Sequence, residues 1–259
     1  MADATTIEVL RRGDIAEVSL VPPTGKPPTL DGSVLDALDE ALSDVERTVP
    51  RLVVVRSAVD RYFCVGANID ALQTLDAETI GPWVRKGHDV LRRLERLPMP
   101  TIARVCGHAV GGGLELALAC DLIFCDASAR LGLTEASLGF VPGWGGTRRL
   151  PDRVGAATAK RLFFVADVLD GQAAKDVGLV DALHESPTSL DASIAAYARR
   201  VCEMNAASLA AMKAILNDAS EAAHEANRKA EAHHSAACVR DPDAAARLSA
   251  FLGKRSRNK

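Results

Sequence analysis

The 259-residue chain has few aromatic residues, at 4%, no Cys-x-x-Cys pair, and a formal net charge of only −3. The scarcity of aromatic side chains argues against a stacking platform for single-stranded nucleic acid. The balanced charge gives no general electrostatic attraction to nucleic acid or to an anionic membrane. No apolar run approaches the roughly 20 residues that a membrane span requires. We therefore predict a protein that binds neither nucleic acid nor membranes.

The composition is that of an ordinary globular protein, with 48% hydrophobic and 25% charged residues. The first residues, Met1–Thr5, contain neither a basic nor an apolar segment, so the sequence predicts no secretion signal. Several of the six cysteines lie in apolar runs such as Leu122–Cys125, where a reduced cysteine behaves as a small apolar residue. These features predict a cytoplasmic protein with reduced thiols.

Short apolar runs alternate with helical patterns in the first two thirds of the chain. The runs predicted as strands are Ile15–Val21, Leu52–Val55, Thr101–Val105, Leu122–Cys125 and Leu179–Leu183. The intervening helices include Val34–Leu42, behind a cap at Asp31 or Ser33, and Trp83–Leu97. Strands separated by helices predict crossover connections, a largely parallel sheet and an α/β fold.

After Pro187 the strand pattern disappears and helical periodicity takes over. The predicted helices are Leu190–Met204, Ala207–Asn217, Ala222–Cys238 and Asp243–Leu252. A helical region of this size cannot bury all its apolar faces alone, so we expect it to pack on the α/β part or on another subunit.

Three segments have residue choices that suggest chemistry. In the first, the Gly66–Asn68 turn follows a predicted strand, and by itself it is typical of a strand-to-helix connection. In the second, a strand runs into Gly111–Gly113 and then a helix that holds Glu115 in its first turn. Free amides at such a point can bind an anion. In the third, Glu135 precedes a second glycine-rich bend, and alone it would be read as a surface or capping carboxylate.

Other catalytic patterns are missing from the sequence. There is no Gly-x-Gly-x-x-Gly in a βαβ setting and no Gly-Lys-Ser/Thr, which disfavours a nicotinamide site and a phosphate loop. The histidines lack metal-ligand spacing, and no Gly-x-Ser-x-Gly is present. We therefore expect no metal and no serine nucleophile.

Taken together, the segments resemble the enoyl-CoA hydratase/isomerase, or crotonase, family. Phe63–Ile69 is similar to the family's Phe-x-x-Gly-Ala-Asp-Ile, and Gly111–Ala117 to its Gly-Gly-Gly-x-Glu-Leu-Ala. Leu131–Thr147 is similar to the stretch with a second glutamate and Pro-Gly-x-Gly-Gly-Thr. Ala250–Arg255 resembles the closing Ala-Phe-x-x-Lys-Arg. The motifs occur in the family's order over nearly the whole chain.

The resemblance implies a spiral of repeated ββα units, over residues 1–195, that holds an acyl-CoA site. Residues 196–259 would form a C-terminal helical region that assembles the protein as a trimer or a dimer of trimers. The CoA thioester would be the substrate, with no additional cofactor.

The same resemblance implies a role for each central residue. The backbone N–H groups of Ala67 and Gly112 would form an oxyanion hole for the thioester oxygen. Glu115 would activate water and Glu135 would exchange the proton on the α-carbon. Because hydratases of the family carry both glutamates, the pair favours an enoyl-CoA hydratase, or the reverse dehydratase.

Further binding positions follow from the resemblance. The implied CoA and substrate contacts are Lys26, Val65, Ala67, Asn68, Ile69, Gly111, Gly143, Trp144 and Lys254. Asn68 stands where the family has Asp, and the segment around Lys26 departs from the family's Asn-Arg-Pro motif, although Lys26 could still reach the CoA phosphates. Lys254 matches a lysine that reaches a neighbouring subunit's CoA, or is a solvated charge. Trp144 would line the acyl pocket and select a short or planar acyl group.

Three alternatives stay open at the level of sequence. The protein could be an enoyl-CoA isomerase, or a hydratase of a cyclic dienoyl, methylglutaconyl or carnitinyl thioester. It could also be a CoA- or RNA-binding scaffold without catalysis, although a scaffold has no need of two carboxylates beside an oxyanion hole.

Overall fold

Two β-sheets form the centre of the part of the chain that the computed structural model describes, residues 4–218 and 221–257. The larger sheet has six strands in the order β1-β2-β3-β5-β7-β10. These strands are β1 (Thr6–Arg12), β2 (Ile15–Val21), β3 (Leu52–Ser57), β5 (Thr101–Val105), β7 (Leu122–Asp126) and β10 (Ala182–His184). Within this sheet, β1 and β2 pair in antiparallel fashion, and the other neighbouring strands are parallel. This is the largely parallel sheet that the alternation of strands and helices predicted.

The second sheet has four short strands in the order β4-β6-β8-β9. They are β4 (Tyr62–Cys64), β6 (His108–Val110), β8 (Arg130–Gly132) and β9 (Leu169–Asp170). In each consecutive pair, β3–β4, β5–β6 and β7–β8, one strand joins the larger sheet and the next joins the smaller one before a helical segment follows. The chain therefore winds as repeated ββα units.

Helices cover these sheets in the first 180 or so positions of the sequence. They are α1 (Gly32–Thr48), α2 (Ile69–Leu72), α3 (Ile80–Glu95), α4 (Gly112–Leu118), a 3₁₀ turn (Glu135–Leu138), α5 (Gly146–Val154), α6 (Ala156–Val165) and α7 (Gly171–Asp176). Helix α1 begins at the Asp31 cap, whose carboxylate accepts the N–H groups of Ser33 and Val34. Of the two residues predicted as caps, Asp31 is therefore the one that caps the helix.

The last predicted strand is shorter than the apolar run suggested. Leu179 and Val180 both donate their N–H groups to the carbonyl of Ala174, at the end of α7, so they close that helix instead of joining the sheet. They are buried in the main core. Asp181 donates its N–H to the Ile123 carbonyl of β7, and the register with β7 begins at Ala182. The prediction of a strand over Leu179–Leu183 was thus wrong at its first residues, because a buried turn and a buried strand have the same apolar composition.

Four helices make up the C-terminal region: α8 (Pro187–Glu203), α9 (Ala206–Asp218), α10 (Glu221–Arg240) and α11 (Pro242–Arg257). Helix α8 packs its Leu190 and Ile194 against the outer face of the larger sheet. Helix α10 lies along α3. Within the described ranges, no helix has the length and apolar character needed to cross a membrane.

Polar contacts fix α10 on α3. His88 bonds to Glu231 at 2.8 Å, and Glu95 bonds to His224 at 3.1 Å. Arg92 contacts both His224 and Glu221. Each of these contacts joins one turn of α3 to one turn of α10. Together they hold α10 against α3.

Candidate active site

One cavity is bordered by all three of the segments singled out in the sequence. Its volume is about 80 Å³. Most of its lining is apolar: Val65, Ile69, Leu72, Ile80, Trp83, Leu138, Phe140, Val141 and Trp144. Its polar side chains are Glu115, Thr134, Glu135 and Ser235, and Gly66, Ala67, Gly111, Gly112 and Gly143 supply backbone. Both predicted catalytic glutamates therefore face the same small, largely apolar space.

Two turns meet at the wall of this cavity, one after β4 and one after β6. Gly66 has φ +89°, and a Cβ built on it would lie 2.9 Å from the Val110 carbonyl oxygen and 3.1 Å from the Gly112 nitrogen. Only glycine allows both this backbone conformation and this approach. Within the described part of the chain, the N–H groups of Ala67 and Gly112 donate to no other residue. Two unpaired amides thus stand in adjoining turns that border the cavity.

The glycines at the start of α4 are needed for packing. A Cβ on Gly113 would lie 2.0 Å from the Cys64 carbonyl oxygen, so α4 packs directly on the end of β4. A Cβ on Gly112 would lie 2.5 Å from the indole of Trp144. The sequence suggested that this glycine run serves function, and the structure adds that close packing requires it.

Glu115 is held by the backbone of a neighbouring segment. Its Oε1 accepts the N–H of Trp144 at 2.8 Å and the N–H of Gly146 at 2.7 Å. Among the described residues, nothing donates to its Oε2. Burial raises the pKa of Glu115 well above its ordinary value, the charges of Glu135 and Glu231 raise it further, and the two amides oppose this. One oxygen is fixed, and the other can accept a hydrogen bond from a water molecule.

Glu135 follows β8 as the first residue of the 3₁₀ turn. Its Oε2 is buried and has no hydrogen-bond partner within the described ranges. A Cβ built on Gly111 would lie 3.4 Å from its Oε1, so the carboxyl group reaches the glycine turn. Burial raises the pKa of Glu135 to about 7, and the charge of Glu231 also acts in that direction. Near neutral pH the glutamate pair can therefore hold one proton and one negative charge, an acid beside a base.

A sequence model of enoyl-CoA hydratases and isomerases matches residues 11–258. The chain belongs to the enoyl-CoA hydratase/isomerase family. The family prediction made from the motifs is confirmed, and so is the α/β spiral with C-terminal helices.

Several relatives carry hydratase names. Rat mitochondrial methylglutaconyl-CoA hydratase is 46% identical over 143 residues, which cover 55% of this chain and 45% of that protein. The chain thus spans about half the length of the first curated relatives that it matches. Crotonyl-CoA hydratase of Syntrophomonas wolfei is 31% identical over 87% of this chain and 86% of that protein. The crystal structure of enoyl-CoA hydratase from Bacillus halodurans has the same fold, with a TM-score of 0.88, 21% identity, and coverage of 94% of this chain and 99% of that one.

Most of the binding residues that the crotonase resemblance implied lie together. Val65, Ala67, Ile69, Gly111, Gly112, Gly143 and Trp144 all line the cavity with the two glutamates. Asn68 does not line it, because its side-chain oxygen caps α2 by accepting the N–H of Asp70. Lys26 lies in an exposed turn, and Lys254 is exposed on α11. The segment after Lys26 runs beside the site, since Leu30 pairs with Ala67.

Sequence reasoning missed residues that come to the site from helices. Trp83 of α3 lines the cavity and packs on Trp144, with ring centroids 4.6 Å apart. Ser235 of α10 also lines it. Glu231, in the same helix, bonds to the backbone beside Trp144. An amphipathic pattern marks Trp83 as inward-facing, but nothing local distinguishes Glu231 from the solvated glutamates of an Ala/Glu-rich helix.

Replacing Gly87 by alanine should disturb Trp144. A Cβ on Gly87 would lie 2.1 Å from the indole of Trp144, which is buried and wedged between α3 and α4. We expect Gly87→Ala to destabilise the protein by about 1–3 kcal/mol, as overpacking of a core does. We also expect it to lower turnover, because the displaced indole is part of the cavity wall. Urea unfolding, followed by tryptophan fluorescence, measures the first effect.

Gly81→Ala, on the same helix, is the matched control. A Cβ there would be 3.4 Å from the end of the Arg85 side chain, which can move aside. We expect the control to be neutral or slightly stabilising, since alanine favours helix more than glycine does. If Gly87→Ala behaved like this control, Trp144 would not be packed as described.

Proposed function

We propose that this protein adds water across the Cα–Cβ double bond of a 2-enoyl-CoA thioester, or catalyses the reverse dehydration. The observation that carries the proposal is that Glu115, Glu135 and the free amides of Ala67 and Gly112 border one cavity. The hydratase names of the relatives support the same activity. The prediction made from the two glutamates therefore agrees with the comparisons.

The two amides suit the thioester oxygen. Attack of water on Cβ moves electron density onto that oxygen, which becomes an enolate. Backbone N–H groups already aimed at this position stabilise the developing charge, and losing one such donor typically costs about 3–4 kcal/mol of transition-state stabilisation. The close contact of the Gly66 and Gly112 turns supports the assignment of Ala67 and Gly112 as the donors.

The glutamate pair supplies the proton transfers. Ionised Glu115 takes a proton from water as the water oxygen bonds to Cβ, and protonated Glu135 gives its proton to Cα of the enolate. One proton is accepted and one is donated, so the pair still holds a single proton, which is now on Glu115 and returns to Glu135 before the next turnover. The backbone bonds to Oε1 of Glu115 support its role as the base, because they fix its orientation.

The cavity favours a short, uncharged acyl group. Its volume, about 80 Å³, is small, and most of its lining is apolar. The ionisable side chains that line it in the described part of the chain are the two carboxyls, and none is cationic. A methylglutaconyl group has its own carboxylate, which would be buried beside these carboxyls without a partner. A crotonyl group has only an apolar end.

A comparison of two substrates tests this proposal. We expect hydration of crotonyl-CoA, with a kcat/KM roughly 10–100-fold higher than that for methylglutaconyl-CoA. The measurement is the loss of the enoyl thioester absorbance, with identification of the product. Preference for methylglutaconyl-CoA would overturn the proposed selectivity. Double-bond migration without uptake of water would identify an isomerase, and binding of CoA without turnover would identify a scaffold.

Self-association is part of the proposal. Helix α9 exposes apolar side chains, with Met212 54%, Ile215 70% and Leu216 76% exposed. Such a surface supports burial against further copies of the chain, as a trimer or a dimer of trimers. A monomer in sedimentation velocity would contradict it. The contacts of Lys26 and Lys254 with CoA, and the cytoplasmic location, stay predictions.

A further inference from the structure

Glu231 is a buried carboxylate that the mechanism above does not use. It lies on α10, is 3% exposed, and does not line the cavity. Its Oε2 accepts the N–H of Gly145 at 2.8 Å and lies 2.8 Å from Nε2 of His88. Its Oε1 accepts the N–H of Thr147 at 3.2 Å and the hydroxyl of the same residue. Three donors and the His88 imidazole thus converge on a side chain from the C-terminal region.

The bonds of Glu231 alternate with those of Glu115. Along the segment Trp144–Thr147, the first and third N–H groups go to Glu115 and the second and fourth go to Glu231. Successive amides therefore point to two carboxylates on opposite sides of the same short segment. Because each amide is fixed by its own carboxylate, a shift of the segment on one side is transmitted to the other.

We propose that Glu231 is a positioning residue for the hydration reaction: from α10 it holds the Trp144–Thr147 segment so that the two amides keep the Glu115 carboxylate aimed into the cavity. The inference rests on the proposed function and adds a residue to it. It also gives α10 a part in the chemistry, since the interhelical contacts of His88 and Glu95 fix this helix on α3.

Charge gives Glu231 a second effect on the same site. His88 on α3 contacts Glu231 directly, and the charge of Glu231 acts on Glu115 of α4 and Glu135 of the 3₁₀ turn. On α5, Arg149 donates to the carbonyl of Trp144, in the segment that Glu231 holds. Arg148 and Arg149 are paired with Glu95. The negative charge of Glu231 adds to burial in raising the pKa of both Glu115 and Glu135. Removing that charge should lower both pKa values.

The test is Glu231→Gln in the full-length protein, assayed with crotonyl-CoA over a range of pH. Glutamine keeps the length of the side chain but turns one acceptor into an NH₂ group that faces N–H donors. We expect kcat to fall by roughly 10–100-fold with little change in KM, the size of effect that a small misplacement of a catalytic group produces. We also expect the limb of the kcat/KM profile that belongs to the glutamate pair to move to lower pH.

Glu221→Gln is the matched control, because Glu221 also joins α10 to α3, through Arg92, but does not touch the Trp144–Thr147 segment. We expect its kcat and pH profile to equal those of the wild type. A Glu231→Gln enzyme with wild-type kcat and an unmoved limb would overturn the inference. The inference would also be overturned if activity fell only in proportion to the amount of folded protein and the limb of the kcat/KM profile stayed at the same pH.

Two further measurements test the role of Glu231 if the first variant does not fold or if the wild type is inactive. If Glu231→Gln does not fold, Thr147→Val removes one donor and leaves the carboxylate in place, and we expect it to lower kcat severalfold without moving the limb. Full kcat in that variant would reject the inference. Wild-type turnover of crotonyl-CoA is measured first: without it the proposed function fails and the inference fails with it, whereas with it only the role of Glu231 is at stake.

Discussion

Glu115→Gln should lower kcat for the hydration of crotonyl-CoA by roughly 10²–10⁴-fold, the range that removal of a general base produces. Glutamine can still accept the N–H groups of Trp144 and Gly146 through its side-chain oxygen, so the segment that holds the carboxylate should keep its position. What is lost is the ability to take a proton from water. We therefore expect little change in KM and an unchanged affinity for the CoA product, measured by titration calorimetry.

The result separates the hydratase from its isomerase rival. An isomerase that moves the proton with Glu135 alone would keep most of its activity toward a 3-enoyl-CoA after Glu115→Gln. A hydratase would lose its activity toward a 2-enoyl-CoA. Because the two glutamates carry out the two proton transfers of one reaction, we expect the effects of Glu115→Gln and Glu135→Gln to be far from additive in the double variant. Retention of near-full hydration by Glu115→Gln would refute the role given to this residue.

Local sequence patterns predicted much of the fold, because most of them are typical of one type of secondary structure. The alternation in Ile15–Val21 and the buried run Thr101–Val105 correspond to β2 and β5 with identical bounds. The four C-terminal helices were found within a few residues, because an amphipathic period and a change of composition mark them. The strand prediction for Leu179–Leu183 was wrong at its first residues. Leu179 and Val180 are buried because they close α7, and they do not belong to a strand.

The candidate site likewise contains residues that the sequence could predict and residues that it could not. The turn glycines and the two glutamates were found because they lie in compact motifs, and the structure brings them to one cavity. Asn68 shared such a motif, yet its side chain caps a helix. Glu231 could not be found, because its environment is created by α3 and α5. It accepts the hydroxyl of Thr147, a residue 84 positions away in the sequence. Contacts of that separation leave no periodic trace in a sequence.

Glu135→Gln should make the protein more stable in alkaline solution while it loses activity. In the folded state burial holds the pKa of Glu135 at about 7, against an ordinary value of 4.5. The folded protein therefore binds the proton more tightly than the unfolded chain does. The stability that depends on this proton is fully present below the ordinary value and is lost as the pH rises toward 7. Glutamine never ionises, so the variant escapes that loss.

Measured by urea unfolding at a fixed protein concentration, the advantage of Glu135→Gln over the wild type should grow by about 2 kcal/mol between about pH 5 and pH 8. Glu40→Gln, on the exposed side of α1, is the control, and we expect it to stay within about 0.5 kcal/mol of the wild type at both pH values. A Glu135→Gln advantage that did not depend on pH would mean that the carboxyl is ionised at little cost. An acid that had already lost its proton could not protonate Cα, so the same outcome would remove Glu135 from its proposed role.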